Sequence, residues 1–185
     1  MTVNPISPGR IQSAIAQASS KTGIDFDYLL NQAKVESGLN AHAKAGTSSA
    51  SGLYQFVEQS WLSVVKQHGS EHGLGWAADS IQRGANGRLS VSDPAARSSI
   101  LALRNDPDAA SLMAAEHASD NKSALEGTLG RDATGTDLYM AHFLGLGGAK
   151  KFLTTLAANP YASAASLFPA AAGANRNVFY TPAGA

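Results

Sequence analysis

The sequence predicts a mainly α-helical domain with at most one tiny β-hairpin. Three observations carry this. A capping residue followed by proline recurs at Ser7-Pro8, Asp93-Pro94 and Asp106-Pro107. That pairing opens helices, because proline lacks only an amide hydrogen that the first turn leaves unused anyway. Apolar residues then follow at helical spacing, as in Ile11, Ile15 and Ala18. Only residues 89–92 alternate apolar and polar side chains in the manner of a strand. No linker or internal repeat divides the chain, so residues 1–185 read as a single domain, long enough to bury a core.

In chain order, the first helix begins at Ser7-Pro8 and stops before Gly23. Asp25 caps a second helix, which ends at Gly38. Residues 40–51 form a loop rich in Ala, Gly and Ser, where small side chains let a ligand approach the backbone. A third helix spans residues 56–68, with Trp61, Leu62, Val64 and Val65 on its buried side; Trp61 belongs to the core. Residues 69–79 are broken by glycines, and Trp76 stands among them. Ala85-Asn86-Gly87-Arg88 is a turn before the short strand. Helices follow from Asp93-Pro94 through Leu103 and from Asp106-Pro107 to about Gly127. Thr136 caps a helix to Leu144, residues 145–148 turn the chain, and another helix covers 151–158. Asn159-Pro160 opens one more short helix, and residues 175–185 form a tail.

Chemistry concentrates at the end of the second helix. Phe26, Leu29, Leu30 and Ala33 make its apolar face. At the rotation of a helix, Glu36 falls about 20° from Leu29, at the edge of that face, while Val35 points away. A carboxyl against apolar walls favours its neutral form, which suits a general acid. A Glu at a helix rim paired with Lys34 or Lys44 fits the same position, so spacing alone leaves both readings open.

Composition excludes several classes. Hydrophobic residues make up 44% and charged residues 15%, the profile of a folded chain rather than a disordered one. Formal net charge is zero, so the basic footprint of a nucleic-acid binder is missing. There is no cysteine, hence no disulfide framework. The five histidines show no spacing of a known metal motif, and no phosphate loop or nucleophile elbow occurs; no metal and no cofactor is expected. Residues 152–175 carry no charge but contain Pro160, Pro169 and Gly173, so no transmembrane segment is expected. Residues 1–10 lack the charged-then-apolar layout of a signal peptide.

Glu36-Ser37-Gly38, a Ser/Ala-rich loop and then Ser51-Gly52-Leu53-Tyr54-Gln55-Phe56 resemble the soluble lytic transglycosylases. These are glycoside hydrolase family 23 enzymes, with a lysozyme-like fold shared with goose-type lysozymes. Their first motif is Glu-Ser and their second Gly-Leu-Met-Gln, here with Tyr54 in place of Met. Their third motif, Ala-Tyr-Asn-Ala-Gly, is matched at Ala141 and Gly145 of Ala141-His142-Phe143-Leu144-Gly145. Phe143 replaces its Asn. The resemblance covers residues 11–158.

The resemblance implies a lysozyme-like fold and cleavage of the β-1,4 bond between N-acetylmuramic acid and N-acetylglucosamine. Ordinary glycosidases use two carboxylates roughly 5–9 Å apart. In this family one Glu works twice, as acid toward the leaving oxygen and then as base toward the 6-hydroxyl of the muramic acid, giving a 1,6-anhydro product. Glu36 takes that catalytic role. The resemblance implies that Gln55 and Ser51 bind the sugar or orient Glu36; capping of the local backbone is the alternative for both. Tyr54 stacks on a sugar ring or packs. Tyr139 and Phe143, four residues apart, share a helix face and line the groove or the core. Tyr180 is the candidate for the family's later tyrosine, by order in the chain. Glu116, on an alanine-rich helix, positions water or substrate, or is simply solvated. Expected partners are the glycan strands of peptidoglycan. The segment 139–152 resembles a branch tied to export machinery, which adds flagellar rod, secretion-system or phage-tail proteins and implies a periplasmic location. Two other readings stand: a goose-type-like muramidase, with Glu116 as the first suspect for its second carboxylate, and a non-catalytic wall-binding assembly module.

Overall fold

The computed structural model describes residues 6–174. The chain falls into two compact units, one ending at Asp120 and the other starting at Asn121. Nearly all regular structure is helical, as the capping pattern predicts.

In the first unit, α1 (Pro8–Thr22) opens at Ser7, whose hydroxyl accepts from the Arg10 amide, and closes at Gly23 in the left-handed conformation. Its stripe of Ile11, Ala14, Ile15 and Ala18 is buried and packs toward α2 (Phe26–Ser37). Asp25 caps α2 by accepting from the Tyr28 amide, and Gly38 ends it at φ 62°. The next helix, α3, covers Glu58–His68. It starts two residues later than the apolar pattern predicts, because Phe56 is held in a backbone bridge with Ser51. Trp61 is fully buried. Its indole donates to the Ile100 carbonyl at 2.9 Å, and its ring meets Phe56 edge-on at 5.1 Å.

A 3₁₀ turn (Gly69–His72) leads to α4 (Gly75–Ser80), on which Trp76 is half exposed. The expected hairpin is present as β1 (Gln82–Arg83) against β2 (Leu89–Ser90), antiparallel with Arg83 opposite Leu89. Helix α5 (Pro94–Ala102) is capped by Asp93 and runs into a 3₁₀ turn (Leu103–Asn105). Helix α6 (Pro107–Leu129) begins at Asp106, whose carboxylate accepts from the Asp108 and Ala109 amides. Ile15, Leu29, Leu53, Leu62, Ile100 and Met113 are fully buried at the centre of this unit.

The second unit takes the end of α6, then α7 (Gly135–Ala158), α8 (Ala164–Leu167) and α9 (Pro169–Ala174). Three expectations are corrected here. The cap of α7 is Thr134, not Thr136. Both are threonines, but only Thr134 has an acid three residues on: Asp137 accepts from the Thr134 amide while Thr134 Oγ1 accepts from the Asp137 amide. The predicted four-residue turn at 145–148 is a kink at one residue, Gly145 (φ 75°, ψ 163°), after which helix resumes at once. Asn159-Pro160 opens a turn rather than a helix, since the Asn159 side chain accepts from the Tyr161 amide and α8 begins only at Ala164. Among the described residues no helix is long and apolar enough to cross a membrane. Tyr180 and the expected tail lie outside the described residues.

Candidate active site

The two sequence segments that carry the motifs meet. Ser37, the last residue of α2, donates its hydroxyl to the Leu53 carbonyl at 2.7 Å and to the Ala33 carbonyl at 3.1 Å. The same oxygen accepts from the Asn40 amide. Glu36 is therefore presented from a helix end that is tied across 16 residues to the Gly-Leu-Tyr-Gln loop. Glu36 is half-buried, whereas Val35 is 68% exposed, as the helical rotation predicts.

The loop is rigidly built. Gly52 has φ 85°, and a Cβ there would lie 1.8 Å from the Arg104 carbonyl oxygen, so no side chain fits. Leu53 is fully buried beneath it. The Arg104 guanidinium donates to the Ser49 carbonyl at 2.6 Å and to the Phe56 carbonyl at 3.0 Å, spanning both ends of the loop. Burial, only partly offset by Glu58, pulls the Arg104 pKa below its ordinary value. Ser51 is buried and donates to Asn105 Oδ1 at 3.0 Å. Among the described residues, the two non-glycine positions with left-handed backbone are Leu39 (φ 63°) and Gln55 (φ 52°), one on each motif segment. Such conformations cost roughly 1–2 kcal/mol each, and persist where surrounding contacts fix them.

Each sequence candidate has a definite place. Gln55 Nε2 donates to the Ala43 and Gly52 carbonyls, so both its protons brace the loop and the oxygen is what remains to offer a ligand. Tyr54 is core: 2% exposed, with its hydroxyl donating to the Leu29 carbonyl at 2.9 Å. Of the stack-or-pack alternatives it takes the second, and burial pushes its phenol pKa far up. An open depression is lined by Leu39, Asn40, His42, Lys44 and Asn105, on the stretch that follows α2; Glu36 and Gln55 are not among its lining residues.

Glu116 is neither solvated nor isolated. Its Oε1 lies 2.9 Å from His72 Nε2 and its Oε2 3.3 Å from His68 Nδ1. His68 also meets Glu71 through Nδ1 at 3.1 Å and Asp120 through Nε2 at 2.8 Å. Burial draws the His68 pKa down, but the contacts with Asp120 and Glu71 outweigh it and hold it above the ordinary imidazole value. In the second unit, Tyr139 and Phe143 are exposed enough to be surface rather than core, at 42% and 41%. Their rings lie parallel, 6.3 Å apart, and line an apolar cleft with Met140, Leu144, Phe152 and Phe168.

Sequence reasoning missed Arg104 and Asn105 as supports of the loop, because nothing local marks a residue that acts 50 positions away. It also passed over His68-Gly69-Ser70-Glu71-His72. That H-x-x-E-H spacing, together with Glu116 and Asp120 one helical turn apart, was the available signal for the histidine cluster. Models of known protein families were searched, and none matches this chain.

Proposed function

We propose that the protein is a peptidoglycan lytic transglycosylase with a lysozyme-like catalytic domain and Glu36 as its single acid and base. The observation that carries this reading is the Ser37–Leu53 hydrogen bond, which ties the end of the Glu36 helix to the Gly52–Gln55 loop. Two motifs that mean little separately thus form one support. The strained backbone at Leu39 and Gln55 lies on the same two segments, where stored strain accords with a functional site.

In this reading a glycan strand lies along the depression that starts at Leu39, whose Asn40, His42, Lys44 and Asn105 supply polar groups for hydroxyl and acetamido contacts. Glu36 gives its proton to the glycosidic oxygen as the bond to the anomeric carbon of the muramic acid breaks. It then takes the proton of the 6-hydroxyl as that oxygen bonds to the same carbon. The Glu ends protonated, the sugar ends as the 1,6-anhydro form, and no water is consumed. The engagement of both Glu116 oxygens by imidazoles favours this over the muramidase reading, which needs a second carboxylate free to hold a water. The proposed setting is the periplasm, where local wall opening would serve assembly of a flagellar rod, a secretion apparatus or a phage tail.

The test is mass spectrometry of the fragments released from purified peptidoglycan. Muropeptides ending in 1,6-anhydromuramic acid, absent with Glu36→Gln, are the expected result. Products heavier by one water would make the protein a hydrolase. A folded protein that binds glycan but releases nothing, with Glu36→Gln behaving identically, would leave the wall-binding module.

A further inference from the structure

We infer that His68, Glu71 and Glu116 form a binding site for a divalent transition-metal ion, with zinc the best fit, that staples the end of α3 to α6. This is independent of glycan cleavage. Three elements converge: His68 closes α3, Glu71 and His72 lie on the 3₁₀ turn, and Glu116 lies on α6. One ligand atom each from His68, Glu71 and Glu116 lies within 4.8 Å of the others. Ligands held 2.0–2.1 Å from a tetrahedral zinc stand about 3.4 Å apart. The separations of 3.1 Å (His68–Glu71) and 3.3 Å (His68–Glu116 Oε2) come close to that spacing, while His72 holds the other oxygen of Glu116 at 2.9 Å and so orients that carboxylate.

Hydrogen-bond valence sharpens the argument. A neutral imidazole has one N–H and one lone pair. Asp120, at 2.8 Å from His68 Nε2, takes the N–H. The Nδ1 lone pair then points at two carboxylates, an arrangement of acceptors only. A cation among them resolves it, and so does a second proton on His68. Three carboxylates around two imidazoles leave the cluster three charges negative when both rings are neutral, which favours the divalent ion. Asp120 also has the place of the carboxylate that orients a metal-bound histidine through its other nitrogen. The donors are imidazole and carboxylate, a set suited to zinc. Both histidines and Glu116 are well covered, with side chains 12%, 8% and 15% exposed, while Glu71 at 59% leaves a route in from solvent.

The experiment is calorimetric titration of zinc ion into untagged, chelator-treated protein at neutral pH, with cobalt(II) absorption as a second readout on the unmodified chain. Saturable uptake of a single equivalent is expected, with intense visible bands for cobalt and a raised Tm with zinc. His68→Ala should abolish it. Asp120→Asn should weaken it about 10–100-fold, as removal of an orienting partner does. Glu71→Gln changes an exposed residue, so it tests ligation without threatening the fold. Absence of saturable zinc uptake by the unmodified protein would overturn the proposal and leave His68 as an imidazolium among carboxylates. Uptake that survives both His68→Ala and Glu71→Gln would overturn it equally, by placing the ion elsewhere.

Discussion

The hydroxyl of Ser37 donates to the carbonyl of Leu53 at 2.7 Å, and this contact joins the end of a helix to a loop that the chain reaches 16 residues later. Ser37→Ala removes it together with the contact to the Ala33 carbonyl and the bond from the Asn40 amide. A net cost of about 1–2 kcal/mol in stability is expected, since one hydroxyl proton is shared between two part-buried carbonyls and the Asn40 bond is exposed. Under the proposed glycan cleavage by Glu36, turnover should fall further than stability implies, because small displacements of an acid–base group are costly. Activity of Ser37→Ala on purified peptidoglycan, measured well below its Tm, checks this. Unchanged turnover would mean that the tie does not position Glu36.

Two glycines with similar backbone should respond differently to alanine. Gly38 has φ 62° with nothing near its would-be Cβ, so Gly38→Ala bears only the conformational cost of about 1–2 kcal/mol. Gly52 has φ 85° and the Arg104 carbonyl oxygen 1.8 Å from that point. Gly52→Ala must move backbone, adding roughly 1–3 kcal/mol for overpacking. Urea denaturation of the two variants should therefore separate them clearly, and equal midpoints would contradict the clamped loop.

The helical order was readable because its signals are local. Ser7, Asp25 and Asp93 cap what their proline or apolar sequels announce, and Gly23 and Gly38 stop what they follow. The failures are local too: Thr134 and Thr136 differ as caps only through the residue three positions on, and Gly145 bends the chain without ending the helix. At the candidate site, the position of Glu36 follows from helix rotation. The Arg104 clamp and the His68–Asp120 contact do not, since they join residues about 50 positions apart. Tyr54 shows the remaining limit. An aromatic in a loop motif reads equally as a sugar platform or as core, and only the Leu29 carbonyl waiting for its hydroxyl decides.

Tyr54→Phe tests that decision. The substitution keeps the ring and deletes one buried hydrogen bond, so stability should drop by about 0.5–1.5 kcal/mol. Glycan affinity should not change, because the ring is 2% exposed and cannot stack on a ligand. Thermal unfolding and binding of a soluble glycan fragment measure the two effects separately. Weakened binding without a Tm shift would return Tyr54 to the substrate surface.

Acid should loosen the start of α7 through Asp137. Its carboxylate accepts from both terminal nitrogens of Arg131 and from the Thr134 amide, and it is buried while Arg131 is half exposed. The Arg131 contact lowers the Asp137 pKa, with burial opposing and Thr134 assisting. A carboxylate whose folded pKa lies below its unfolded value of about 3.9 stabilises the fold at all higher pH. That contribution is lost as pH falls from about 5 through the folded value, where the folded state must take up a proton that the unfolded state already binds. Protection of the α7 amides against hydrogen exchange, corrected for intrinsic rates, should therefore decline over that window. Asp137→Asn should start lower, by about 1 kcal/mol given the exposure of Arg131, and stay flat. The difference between the two proteins isolates Asp137 from other acids titrating in the same range, such as Asp108, which Arg10 holds low. A decline of equal steepness in Asp137→Asn would assign the acid sensitivity to those other groups.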